Sequence, residues 1–231
     1  MNKNPPRIVE LVGLAGAGKT TLAQALRQCN KRIWIGEHPY FRKLDQFPFF
    51  AWNTALMLST FTRLYSNNHH GRWLYPREMV GMVILNGWYR VLRRQTFISN
   101  KIYVLDKGPL MILAQLRIFG PNCINNNESA EKWWYYIYKQ WASTLDLIIW
   151  LDATDAILLD RVRKRRKWHS IKGQTDDQAF ALNARFRSEY EQLISLFTAG
   201  ADSPKVIEYD TGLDSLDKVI EKTLIAFGLP S

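Results

Sequence analysis

Apolar positions along the chain follow two rhythms: short unbroken runs, and longer stretches with helical spacing. Five runs read as buried strands: Arg7–Leu14 (RIVELVGL), Arg32–Ile35, Lys101–Leu105, Leu145–Leu151 and Lys205–Tyr209. Between the first two, Lys19–Gln28 places Leu22, Ala25 and Leu26 on one face of a helix. Phe47–Leu64 and Arg77–Arg94 read as long helices rich in Trp, Phe, Met and Leu, with Pro76 where a first-turn proline belongs. The asparagine-rich stretch Asn122–Asn127 predicts a loop, after which Ser129 would cap an aromatic helix running to about Trp141. Thr154 would cap a helix that turns basic over Asp160–Lys167 (DRVRKRRK), and Asp176–Phe197 and Ser215–Phe227 complete the pattern.

Strands alternating with helices predict βαβ units around a parallel sheet covered on both faces, an α/β fold. The aromatic helices read as core and cap material rather than as a cofactor site. A length of 231 residues suits a single domain with an inserted cap.

Composition narrows the setting. Only Cys29 and Cys123 are present, with no metal-ligand spacing around them, which argues against a disulfide scaffold and a zinc site. The amino end lacks the apolar core of a signal peptide, and the most apolar segment, Met79–Leu92, is broken by Asn86 and Arg90. A cytoplasmic protein without a membrane span is the expectation. The net charge of +10 favours anionic partners, either nucleic acid or a polyphosphate nucleotide.

Where the charge sits decides between them; Gly13-Leu14-Ala15-Gly16-Ala17-Gly18-Lys19-Thr20, for its part, satisfies G-x-x-x-x-G-K-[ST] between a predicted strand and a predicted helix. Glycines let the backbone curl so that the N–H groups of Ala15, Gly16, Ala17, Gly18 and Lys19 through Thr21 can face phosphate oxygens at a helix start. Lys19 would reach the β/γ oxygens of ATP, and the Thr20 hydroxyl would ligate Mg²⁺. No N-K-x-D or L-S-G-G-Q stretch accompanies the loop, so the motifs of GTPases and transporter ATPases are missing.

With these residues in hand, the chain resembles P-loop kinases of the thymidylate-kinase-like and deoxynucleoside-kinase-like group. The resemblance implies a P-loop NTPase three-layer fold with a five-stranded parallel sheet in the order 2-3-1-4-5. It further implies a helical acceptor cap, about 40–100 and 109–144 here, and an arginine-rich lid at about 161–175. Arg161 and Arg165 keep the R-x-x-x-R spacing of that lid and would share one helical face, with Arg161 near the adenine. Asp106 ends the third strand where the family has Asp-Arg or Glu-Arg, but Lys107 and Gly108-Pro109 follow it here. Asp106 would hold Mg²⁺ through water or orient the acceptor, and the loss of the Arg fork leaves acceptor recognition open. Glu37, in Gly36-Glu37-His38-Pro39, sits where the family has its Glu-Pro general base; it is the first choice for that role and Asp106 the second. His38 reads as a loop residue or a phosphate ligand. Arg42, Lys43, Arg77, Arg90, Arg93 and Arg94 read as solvated cations or acceptor contacts, and His169 and Lys172 as part of the lid stretch.

The expected function is phosphoryl transfer from ATP to a small molecule, nucleosides and nucleotides first, because a long aromatic cap suits a stacked base. The alternative is a non-kinase ATP-binding module whose aromatic cap, with many of the nine tryptophans, meets a protein partner. Nucleic-acid binding ranks last, since the basic residues concentrate in the lid rather than in a stripe. Homodimer formation is left open.

Overall fold

The computed structural model describes residues 5–39, 46–66, 72–125, 128–166, 170–201 and 203–230. Five strands, β1 (Ile8–Val12), β2 (Ile33–Ile35), β3 (Ile102–Leu105), β4 (Leu147–Asp152) and β5 (Lys205–Asp210), form one parallel sheet ordered β2-β3-β1-β4-β5. β1 is central and buried along its whole length, with Val9 opposite Val104 on one side and Leu147 on the other. A strand enclosed on both faces has to be apolar throughout, as IVELV is except at Glu10.

The helices described are α1 (Lys19–Cys29), α2 (Phe47–Ser66), α3 (Pro76–Ile98), α4 (Pro109–Phe119), the single turn α5 (Asn122–Asn125), α6 (Glu128–Ala142), α7 (Asp155–Lys164), α8 (Asp176–Thr198) and α9 (Leu216–Ala226). α2 and α3 both lie between β2 and β3 in sequence, the insertion expected for a cap. The aromatic residues do pack: Trp88 of α3 and Trp141 of α6 are wholly enclosed, and the Trp141 Nε1–H donates to the Leu85 carbonyl at 3.0 Å. Trp52, Leu58 and Tyr65 of α2 remain exposed. No helix among the described residues is long and apolar enough to cross a membrane.

Three expectations are corrected. Asn122–Asn125 is helical rather than a loop, because Cys123 and Ile124 are buried and the Asn125 amide donates to the carbonyls of Leu116, Arg117 and Gly120, closing the end of α4. α6 begins at Glu128, so Ser129 lies within the helix instead of capping it. The basic helix stops at Lys164, and Arg165 is extended at φ −67°, ψ 141°. Arg161 and Arg165 therefore do not share a helical face.

Candidate active site

Residues after β1 form a glycine-rich turn into α1. Gly13, Gly16 and Gly18 have φ of +148°, +94° and +92°, so the backbone reverses direction within six residues. Space also dictates the residue type at Gly13, where a Cβ would overlap the Leu151 carbonyl of the neighbouring strand. Ala17 N–H donates to the Leu14 carbonyl at 3.2 Å, and α1 starts after Gly18 with no side chain capping its amides. Uncapped first-turn amides at a positive helix end favour an anion.

The Lys19 Nζ donates to the carbonyls of Gly13 at 2.6 Å and Leu14 at 3.0 Å, folding the side chain back over the loop. Desolvation pushes its ammonium down to about 8; Asp106 opposes the shift, Arg165 reinforces it and Glu10 opposes it. The Thr20 hydroxyl donates to the Asp106 carboxylate at 2.9 Å, so the end of β3 meets the start of α1. Both residues line a cavity of about 1050 Å³ that also takes in Glu37, His38, Trp34 and Lys107. Trp34 is exposed on the edge strand, with Lys101 Nζ 4.0 Å and the Arg27 guanidinium 5.3 Å from its ring centroid.

The basic run divides by partner. Arg163 pairs with Asp176 at 2.6 Å and Lys164 with Asp160 at 2.8 Å. Arg161 instead reaches neutral acceptors, donating to the Thr211 carbonyl at 2.7 Å, the Thr211 hydroxyl at 3.0 Å and the Gly16 carbonyl at 3.4 Å. It thus bridges the glycine-rich turn and the segment after β5. Arg165 is exposed and forms no ion pair among the described residues, yet its charge is felt at Lys19.

No protein-family model matches the chain, and no curated protein matches its sequence. Solved structures do match. Deoxyadenosine kinase from M. mycoides with bound dATP superposes with a TM-score of 0.53 at 16% identity, over 96% of this chain and 99% of that one. Thymidylate kinase from Candida albicans gives 0.54 at 14% identity, over 98% and 95%. The YorR protein of Bacillus subtilis, in complex with phosphorylated GDP, gives 0.51 at 15%, over 94% of each chain. The fold is that of the P-loop kinases.

Within this P-loop kinase fold, Gly13–Thr21, Asp106, Glu37 and Arg161 gather at the carboxyl end of the sheet, where open α/β sheets bind ligands. Arg90 and Arg93 do not join them: Arg90 contacts Asn53 of α2 at 3.3 Å and Arg93 the Ser143 hydroxyl at 2.7 Å, tying the helices together. Arg42, Lys43, Lys167 and His169 lie outside the described residues. Lys172 donates to the Arg165 carbonyl.

Two groups escaped the sequence. Glu10 is completely buried, and burial pushes its carboxyl up to about 8 against the Leu110 and Met111 N–H groups and the charge of Lys19. A lone acid in an apolar strand was its visible signal. Arg187 of α8 binds Asp152 at 2.8 Å and Asp155 at 3.2 Å, and both carboxylates raise its affinity for the proton. No local spacing announces that contact, since 35 residues separate Arg187 from Asp152.

Proposed function

We propose that the chain is an ATP-dependent phosphotransferase that moves the γ-phosphoryl group to a hydroxyl of a small-molecule acceptor, with nucleosides and nucleotides as the acceptor class. One observation carries the reading: the Thr20–Asp106 contact of 2.9 Å stands on the wall of the same cavity as Glu37. Thr20 at the end of the P-loop, the strand-end acid and the candidate base thus line one space large enough for a small molecule.

In this reading the N–H groups of Ala15–Thr21 and the Lys19 ammonium hold the β- and γ-phosphates, Lys19 exchanging its two carbonyl partners for phosphate oxygens. The Thr20 hydroxyl and the Asp106 carboxylate are oxygen donors of the kind Mg²⁺ takes, with phosphate and water completing the shell. Such a site does not require three clustered His, Cys, Asp or Glu residues, and none occur among the described residues. When bound, Mg²⁺ neutralises charge on the phosphate oxygens. Glu37 takes the acceptor's hydroxyl proton as the new O–P bond forms, while the bond from the γ-phosphorus to the bridging oxygen breaks and ADP leaves.

Arg161, between Gly16 and Thr211, borders the adenine, and Arg165 lends its charge to the transferred group. Residues 161–175 act as the lid, while 40–100 and 109–144 supply the acceptor cap of one domain. Trp34 offers an exposed ring on the cavity wall, and Arg27, Lys101 and Lys107 supply cations for an anionic acceptor. The free thiols of Cys29 and Cys123 go with a cytoplasmic setting.

A second reading, a regulatory ATPase that docks a protein, is favoured by the exposed Phe47, Trp52, Leu56, Leu58 and Tyr65 of α2. ATP turnover against a panel of nucleosides, nucleoside monophosphates and other hydroxyl compounds, with products weighed by mass spectrometry, separates the two. A kinase gives acceptor-stimulated turnover and a product heavier by one phosphoryl group. Hydrolysis indifferent to every acceptor would reject the kinase reading and leave the docking module.

A further inference from the structure

The buried Glu10 is the third residue of β1, flanked by Leu105 and Ile148 in the register of the sheet. Its carboxyl oxygens accept from the Leu110 N–H at 3.2 Å and the Met111 N–H at 3.4 Å, at the second and third residues of α4. Those are the groups that a helix's own cap residue ordinarily satisfies. Gly108 at that position has no side chain to do so, and Pro109, the first residue of the helix, has no N–H to satisfy. An acid in a strand 100 residues away performs the capping.

Space couples the two residues as well as hydrogen bonds. A Cβ at Gly108 would overlap the Glu10 carboxyl, so the acid and the glycine are matched to each other. Asp106 lies two residues before this clamped turn, and the P-loop begins at Gly13, three residues beyond Glu10 and just past the end of the same strand. One rigid element therefore fixes both sides of the Thr20–Asp106 contact.

We propose that Glu10 is a positioning residue: by holding the Gly108–Met111 turn against β1, it sets the reach between Asp106 and the P-loop. Asp106 keeps its distance to Thr20 only while that turn is capped from the strand. The consequence for chemistry rests on the phosphotransferase reading, whereas the clamp itself does not.

The test uses the full chain with Glu10→Ala, Glu10→Gln and Gly108→Ala. Amide hydrogen exchange reads the clamp, and calorimetry with ATP in the presence and absence of Mg²⁺ reads Asp106. In Glu10→Ala, exchange at Leu110 and Met111 rises about tenfold or more. Metal-free ATP binding stays within about twofold of wild type, and the gain in affinity on adding Mg²⁺ falls about tenfold. Glu10→Gln, which keeps a carbonyl acceptor in place, recovers most of both. Gly108→Ala drives the turn away with Glu10 intact and reproduces the Glu10→Ala pattern, which preserves the test if the alanine at position 10 prevents folding. The proposal is overturned by unchanged exchange and unchanged metal dependence, by metal-free ATP binding lost in parallel, or by a glutamine as damaging as the alanine. If wild-type protein binds no ATP, the phosphotransferase reading fails, while exchange at the two amides still decides the clamp.

Discussion

Lys19 is a half-buried cation with two carbonyls as its hydrogen-bond acceptors. Burial that pushes its ammonium down to about 8 means that folding works against its charge, so the lysine is not there for stability. Lys19→Ala should abolish phosphoryl transfer, a loss of about a thousandfold or more. Its melting temperature by circular dichroism should equal or exceed that of wild type, and wild-type turnover in this variant would refute the role. Arg165 differs, being exposed and joined to the site by charge alone. Arg165→Ala should lower kcat by roughly tenfold or more and leave ATP affinity within about threefold, the pattern of a contact made in the transition state. Steady-state kinetics beside calorimetry would expose an unchanged kcat. Whereas the helical face that Arg165 was expected to share with Arg161 does not form, the placing of Lys19 was legible from the Gly13–Thr20 motif and that of Asp106 from its strand end. Glu10 was not, because a single acid inside a strand does not say which helix N-terminus it will meet.

Elements were readable where apolar rhythm set them and misread where tertiary contacts set them. All five strands fall where the apolar runs predicted; burial on both faces leaves little choice of residue in β1, β3 and β4, while the edge strands β2 and β5 are only partly buried. The end of α7 is different. Its spacing would carry a helix through Arg165, but Arg163 reaches Asp176 at the start of α8 and the backbone turns out at Arg165. The beginning of α8 is conventional, with Thr175 and Gln178 forming a capping box. Besides the core packing of Tyr190, Leu193 and Phe197, α8 is tied to the sheet by Arg187, whose fork spans Asp152 at the end of β4 and Asp155 at the start of α7. Removing that fork leaves two partly buried carboxylates near each other without their common cation. Arg187→Ala should cost about 1–3 kcal/mol of unfolding free energy, below the cost of a fully buried pair because each side chain is about a quarter exposed. Urea titration measures it, and a loss under about 0.3 kcal/mol would mean that the fork contributes nothing net.

At the scale of the whole molecule, stability against pH pits two effects of opposite sign. The chain carries a net charge of +10, and acidification adds to it, so general self-repulsion should weaken the native state as pH falls. Glu10 acts the other way. Its carboxyl is pushed from an ordinary 4.5 up to about 8 in the folded chain, so between those values the native state binds the proton more tightly than the unfolded state does. Its contribution to stability is fully present below about 4.5 and is lost as pH rises to about 8. Lys19 and Tyr190 are the titratable groups that feel its charge; Tyr190 is driven above its ordinary range, mainly by burial, and stays neutral throughout the window. The two effects separate by difference, because Glu10→Gln removes the titration and leaves the remaining charge nearly intact. Measured in urea without nucleotide, wild type should lose stability relative to Glu10→Gln as pH rises from 5 to 8, by roughly 2–4 kcal/mol. Self-repulsion cancels from that comparison. A difference that stays flat with pH would mean that the acid is ionised throughout and that Lys19 and the amides of α4 already compensate its charge in full.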